Sequence, residues 1–323
     1  MSQHTQFIYK KPTLGQRLKK SLMYIVSHKT LYLMLIPGLL CLILFKFLPY
    51  YGIQLAFKDY NIFASTDPLA AIGASKWVGM KHFNKLFGSS DFVRVLRNTL
   101  VINGLKVLIL FPIPIIVAIL LREVRSVRLR KVTQTVIYVP YFFSWVVIYG
   151  IFSSVLGTYG ILNNLVHSLG LERIRFFSDP YVFRGTLIFT DGWKTLGYNT
   201  VIFIAAIMAI DPTLYEAARV DGANKFQQIW HITIPGMMST IVLMLIMKVG
   251  HILDNGFEQV LVFYNASVYE TSDIIKTYVY RNGIGKLDFS RSTALDLFNS
   301  IVAFVLIVGS NFVSQKTLHR SIW

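Results

Sequence analysis

The sequence predicts an all-α integral membrane protein with about six transmembrane helices. Three observations predict it. Hydrophobic residues make up 54% of the 323-residue chain, and its mean hydropathy is +0.53. Asp, Glu, Lys and Arg together make up only 15%, against roughly 25% in soluble domains. Stretches long enough for a spanning helix, about 20 apolar residues, occur at 31–57, 92–121, 133–156, 184–210, 236–253 and 294–314.

Taken in order, residues 1–30 form a basic tail with Lys10, Lys11, Arg17, Lys19, Lys20 and Lys29 and no Asp or Glu. The tail is too long and polar for the n-region of a cleavable signal, and no small-residue cleavage pattern follows, so the first span is expected to be retained. That span contains Pro37, Lys46 and Pro49. It is expected to cross as far as Leu48 and to continue as a bent outer extension, "PYYGIQLAF", within a segment 31–91. A core, 92–314, holds the other five spans, and 315–323 is a short basic tail. Lys and Arg in short flanks set orientation. The N-terminal tail, the connection "REVRSVRLRK" (122–131) and the C-terminal tail all fall on one side with six spans. That side is expected to be the cytoplasm, with both termini inside and residues 211–235 on the same side. The segments 58–91, 157–183 and 254–293 then face outward and carry Asp59, Asp67, Asp179, Glu258, Glu270, Asp273 and Asp288.

The net charge of +16 could suggest nucleic acid. Here it sits in blocks beside apolar runs, as topology signals and anionic-lipid contacts do, and no aromatic-basic nucleic-acid module is present. The single cysteine, Cys41, lies in an apolar run and reads as a small hydrophobe. No metal-ligand spacing is present.

The stretch "DPTLYEAARVDGANKFQQIWHITIPG" (211–236) is too patterned for a plain connection. Asp211 and Pro212 are an N-cap and a first-turn proline. Leu214, Ala217 and Ala218 share one helical face, and Glu216 lies near the positive end of the helix dipole. Gly222 interrupts, and "ANKFQQIWHI" opens a second short helix before Pro235. By pattern alone an amphipathic helix lying on lipid headgroups is an equal reading. Against it, the polar face is poor in Lys and Arg and carries Asp211, Glu216 and Asp221.

The spacing Glu216-Ala217-Ala218, Gly222, Ile232, Ile234-Pro235 resembles the cytoplasmic signature of the inner-membrane permeases of binding-protein-dependent ABC importers. The one departure is Ile234, where that signature favours Leu. The segments "WVGMKHF", "NTLVING", "WKTLGYNT" and "VYETSDIIKTYVYRNGI" resemble the branch devoted to polysaccharide or oligosaccharide uptake. The resemblance implies a type I importer permease in the bacterial inner membrane. It implies a second, related permease subunit, two copies of a separate ATPase that holds ATP and Mg, and an extracytoplasmic solute-binding protein bringing a saccharide. The chain itself has no P-loop pattern and is expected to bind no cofactor and to catalyse no reaction. The resemblance makes 211–235 a coupling loop. Glu216 would contact a cation on the ATPase, Ala217 and Ala218 would pack closely, Gly222 would bend, and Ile232, Ile234 and Pro235 would tie the loop to the fifth span. The local alternative for Glu216 is an i,i+3 pair with Arg219.

Ionisable groups within spans are costly and usually face a cavity or the bundle interior. Lys46, Lys106, Asp191, Lys194, Lys248, His251 and Asp254 are such groups. Lys46 and Asp254 lie near outer ends and are expected to snorkel; Lys106 could pair internally. The candidate saccharide path is Trp193, Lys194, Tyr198 and Asn199 in the fourth span with Lys248 and His251 in the fifth. Interspan packing is the alternative for each. The basic excess among them hints at an acidic saccharide. Competing classes are a permease for a peptide or amino acid and a stand-alone secondary transporter. A membrane enzyme would need convergent acid, base, nucleophile or metal groups, and none converge here.

Overall fold

The computed structural model describes residues 26–318, together with 15, 23 and 24. Lys10, Lys11, Arg17, Lys19, Lys20 and the tail beyond 318 lie outside the described residues. The chain divides into two units, Met1–Gln54 and Leu55–Trp323.

In the first unit, α1 (Lys29–Leu42) is apolar all round and buries no residue, the composition of a helix whose solvent is lipid. Pro37 removes one intrahelical hydrogen bond. A π turn at Ile43–Phe47 follows, and 3-10 turns lead from Leu48 to Phe57. The bent extension is therefore helical.

The second unit opens with an antiparallel pair, β1 (Lys58–Asp59) against β2 (Lys76–Trp77). Between them lies α2 (Pro68–Ala74), capped by Asp67, and after them α3 (Lys81–Phe87). Asp59 pairs with Lys81, and that hydrogen bond holds its carboxyl below the usual range against the opposing effect of desolvation. Ser89 caps α4 (Ser90–Leu110). Pro112 starts α5 (Pro112–Glu123), because a first-turn proline has no N–H to lose. Ser126 caps α6 (Val127–Tyr138).

The span expected at 133–156 is not one helix. It breaks at a 3-10 turn, Val139–Phe142, and resumes as α7 (Trp145–Leu156), capped by Ser144, followed by α8 (Ile161–Ser168). Pro140 disfavours continuation from α6, and the Ser144 hydroxyl accepts from the Val147 amide at 3.3 Å, starting the next helix. Asp179 caps α9 (Pro180–Met208), the fourth crossing. It passes so close to the break that a Cβ at Gly197 would collide with the backbone of Ile137 and Tyr138.

After α9 come α10 (Pro212–Val220) and α11 (Lys225–Gln228). Then follow α12 (Ile234–Gly250), α13 (Phe257–Phe263), α14 (Tyr269–Ser272), α15 (Ile275–Gly283) and α16 (Phe289–Leu318). Among the described residues five helical runs are long and apolar enough to cross a membrane: Lys29–Phe57, Ser90–Glu123, Trp145–Ser168, Lys225–Gly250 and Phe289–Lys316. Counting the bent pair α9 and α10, which turns by 68°, as one span gives a sixth.

The cores are aliphatic and aromatic. Ile102, Ile148, Phe152, Phe183, Leu187 and Phe263 join α4, α7, α9 and α13. Ala118, Phe203, Ile207 and Met237 join α5, α9 and α12. The turn after α7 is closed by a fully buried side chain, Asn163. Its amide donates to the carbonyls of Gly157 (2.9 Å) and Ile174 (2.8 Å), and its oxygen accepts from the Ile174 amide at 2.8 Å. Asn163→Ala strands those backbone groups, and a thermal unfolding series on the purified protein is expected to show a loss of about 1–3 kcal/mol.

Candidate functional site

The stretch 211–235 is built as a bent, anchored lever. The Asp211 carboxylate accepts from the Thr213 amide at 2.9 Å, and that backbone bond lowers the Asp211 pKa. Pro212 occupies the first helical turn. At the far end Gly222 sits at φ +75°, where a side chain would be strained. The Ala223 amide donates to the Ala218 carbonyl at 2.8 Å, closing α10. Asn224 and Gln227 then form a capping box: each side chain accepts from the other's backbone amide, at 2.9 and 2.8 Å.

The second short helix expected here is the first turn of the fifth crossing. α11 runs through a π turn, Ile229–Thr233, directly into α12. Ile232 lies in that π turn, and Ile234 and Pro235 open α12, so all three belong to the crossing helix. Glu216, Ala217 and Leu214 are exposed, and Ala218 is half-buried. Among the described residues Glu216 makes no ion pair; Arg219 Nε instead donates to the Tyr215 carbonyl at 3.2 Å. Phe226 and Trp230, 73% and 60% exposed, stack on each other next to the loop.

The opposite face of α10 is fixed to the body of the molecule. Tyr215 is buried, its hydroxyl 3.1 Å from Thr233 Oγ1. Arg122, at the end of α5, lays its guanidinium 3.7 Å from the centre of the Tyr215 ring and donates to Thr233 Oγ1 at 3.0 Å. Glu123 pairs with Lys225 at 2.7 Å. Residues 122–123 and 211–235 therefore lie at one end of the bundle.

The second feature is a cavity of about 420 Å³ inside the second unit, with Lys106, Asp191, Lys194, Lys248, Asp254 and Glu258 on its wall. Lys106 is buried, donates to Gln259 Oε1 at 2.5 Å and lies 3.5 Å from the Asp191 carboxylate. It pairs internally. Asp254 pairs with Lys276 at 3.0 Å and accepts from Asn299 at 2.5 Å, so it does not snorkel. Burial opposes the charge on Lys276, but Asp296 and Asp254 outweigh it and raise the Lys276 pKa. Lys194 donates to the carbonyls of Tyr141 (3.0 Å) and Phe143, in the break between α6 and α7.

Of the candidate path residues, Lys194 and Lys248 line this cavity. Trp193 packs edge-on against Phe152, Tyr198 stacks on Tyr141 with ring centroids 4.3 Å apart, and Asn199 is buried within α9. His251 is exposed just past α12. The structure does not bring these four to the cavity wall. The basic excess read from the sequence is not a property of the wall either: three lysines there face three carboxylates.

Residues 111–318 match the family model described as "Binding-protein-dependent transport system inner membrane component". The chain belongs to this family. It is a permease, an integral membrane component of a transport system and not an enzyme. It is 42% identical over 303 residues to the polygalacturonan/rhamnogalacturonan transport system permease protein YteP of Bacillus subtilis (strain 168), covering 93% of this chain and 92% of that one. The permease also superposes on a chain of a bacterial ABC transporter involved in the import of the acidic polysaccharide alginate. There the TM-score is 0.84 and the identity 37%, over 93% of this chain and 99% of that one. A bacterial alginate ABC transporter in complex with an alginate pentasaccharide-bound periplasmic protein gives a TM-score of 0.83 at 36% identity, with the same coverage.

Sequence reading missed the permease's own anchors. Tyr215 lies inside the recognised stretch, but its partner Thr233 is 18 residues away and Arg122 is 111 residues from Thr233. A signal for Tyr215 existed: it is the one large aromatic on α10, on the side away from Ala217. Arg122 was absorbed into the basic block and had no signal of its own.

Proposed function

We propose that this permease is one membrane subunit of an ATP-driven importer for an oligosaccharide or polysaccharide. An extracytoplasmic binding protein delivers the solute, a second related permease completes the membrane pathway, and two copies of a separate ATPase, holding ATP and Mg, drive it through 211–235. Both termini and the 211–235 end face the cytoplasm, in the inner membrane of a bacterium, with lipid around the spans. The observation that carries this reading is the two-sided build of α10. One face is pinned by Tyr215. The other presents Glu216, which makes no ion pair among the described residues, beside small Ala217, as docking on another protein requires. A shift between inward-open and outward-open states from 1:99 to 99:1 takes about 5.5 kcal/mol of differential binding, so the lever must be stiff.

The saccharide is expected to be acidic. The relatives named for polygalacturonan/rhamnogalacturonan and alginate support this. Lys194 and Lys248 add to it, because no carboxylate lies within ion-pair distance of either among the described residues, whereas Lys106 is committed to Asp191. Lys194→Met combined with Lys248→Met is expected to reduce uptake of galacturonate oligomers about tenfold. Uptake of a neutral oligomer of equal length should change much less. Equal losses on both would remove the acidic assignment.

The function as a whole is tested by co-purifying the tagged permease with its neighbouring membrane and ATPase subunits. ATPase activity is then measured with binding proteins loaded with oligomers of galacturonate, rhamnogalacturonan, alginate or a neutral pentose. Stimulation by at least one saccharide supports the proposal. Absence of any ATPase partner, or stimulation by peptide or amino-acid ligands instead, overturns it.

A further inference from the structure

We infer that Arg122 is the positioning residue that locks the second crossing, the α10 lever and the start of the fifth crossing into one rigid body. This rests on the coupling reading above.

Three elements meet at one buried hydroxyl. Thr233 Oγ1 is fully buried. It can accept from Arg122 Nη1 at 3.0 Å and from Tyr215 Oη at 3.1 Å while donating to the Gln228 carbonyl at 3.4 Å. One hydrogen and two lone pairs are thereby all used. Arg122 closes the triangle from the third side, with its planar group 3.7 Å from the centre of the Tyr215 ring. Arg122 comes from the end of α5, Tyr215 from the middle of α10 and Thr233 from the π turn that leads into α12. A π turn is a weak point in a helix, and Thr233 is its last residue. The Glu123–Lys225 pair spans the same gap, but Lys225 is 70% exposed and such a pair holds little.

The rest of the basic block is built differently. Arg125 and Arg128 are exposed and pair with no carboxylate among the described residues. Topology and lipid contact are served by these residues, and both purposes accept any cation. The Arg122 geometry does not: a lysine ammonium cannot lie flat on a ring and donate sideways to Thr233 from the same place. Motion at 212–220 is thereby passed to both crossings at once, because the pieces on either side of the triangle cannot slide separately.

The test uses the complete transporter in proteoliposomes, with the panel saccharide that the unsubstituted transporter imports. Arg122→Lys keeps the charge and is expected to leave membrane abundance, ATPase co-purification and basal ATP hydrolysis unchanged. Saccharide moved per ATP hydrolysed is expected to fall about fivefold. Tyr215→Phe keeps the buried ring, removes only the hydroxyl and is expected to lower the same ratio about twofold; it carries the test if Arg122→Lys fails to accumulate. Arg125→Lys and Arg128→Lys are expected to leave the ratio unchanged. A positioning role moves saccharide per ATP, whereas a merely structural role moves abundance and leaves that ratio alone. An unchanged ratio in Arg122→Lys, or in Tyr215→Phe where that variant stands alone, overturns the inference while the coupling reading survives. Failure of the unsubstituted permease to co-purify with any ATPase overturns both.

Discussion

Glu216→Ala in the assembled transporter is expected to cut saccharide uptake about 10- to 100-fold while the permease reaches the membrane at normal abundance. Glu216 is exposed and pairs with nothing among the described residues, and the Arg219 guanidinium beside it is turned to the Tyr215 carbonyl. Removing the carboxylate therefore removes no side-chain hydrogen bond or ion pair among the described residues. What is lost is a contact with a partner: a hydrogen bond to a charged group contributes about 1.5–3 kcal/mol, and each 1.4 kcal/mol is about tenfold. Uptake and ATP hydrolysis measured on the same vesicles decide the matter. Normal uptake would end the assignment of Glu216 to the ATPase contact.

Asp273→Ala is expected to destabilise the permease by about 3–5 kcal/mol, because it leaves a partly buried guanidinium without its partner. Asp273 is fully buried. Arg281 grips both its oxygens, at 3.1 and 2.5 Å, and Thr277 donates to it at 2.8 Å. The Asp273 hydrogen bond raises the Arg281 pKa further above its ordinary value, against the opposing effect of burial. The same turn is clamped from behind. Asn98 donates to the carbonyls of Glu270 (2.8 Å) and Asp273 (3.2 Å), and Arg184 donates to Thr271 (2.9 Å) and to Asn98 (2.9 Å). Denaturant unfolding in detergent measures the loss. Asp273→Ala combined with Arg281→Ala should recover part of it, since no unpaired charge remains. A loss below about 1 kcal/mol in the single variant would show that the pair contributes no more than a surface ion pair does.

These two residues mark the limits of what could be read from sequence. The lever was legible because its signals are local. An aspartate before a proline caps a helix, and a glycine after helix formers ends one, so α10 and its end at Gly222 followed directly. The spans were legible because a helix in lipid must be apolar over its length. The break at Val139–Phe142 was obscured for the same reason: its residues are as apolar as a helix, and only Pro140 and Ser144 mark it. The acidic residues of the segments expected to face outward could be counted but not placed. Asp67 and Asp179 cap helices, Asp273 is an internal anchor, and Asp288 receives the Arg291 amide at 3.1 Å. Their charge serves the fold first, which no window of sequence shows. Arg122 was concealed by good company, since a block of cations explains each member until one is seen to face inward.

The most direct test of the central claim is contact between the lever and the ATPase. In a Cys41→Ser background, Ala217→Cys is labelled with a membrane-impermeant maleimide carrying a photo-activated cross-linker, from either side of the membrane. The account predicts labelling from the cytoplasmic side alone and, on illumination, a covalent adduct between the permease and the ATPase subunit. Labelling from the outer side of intact cells, or no adduct although both subunits are present, would contradict it.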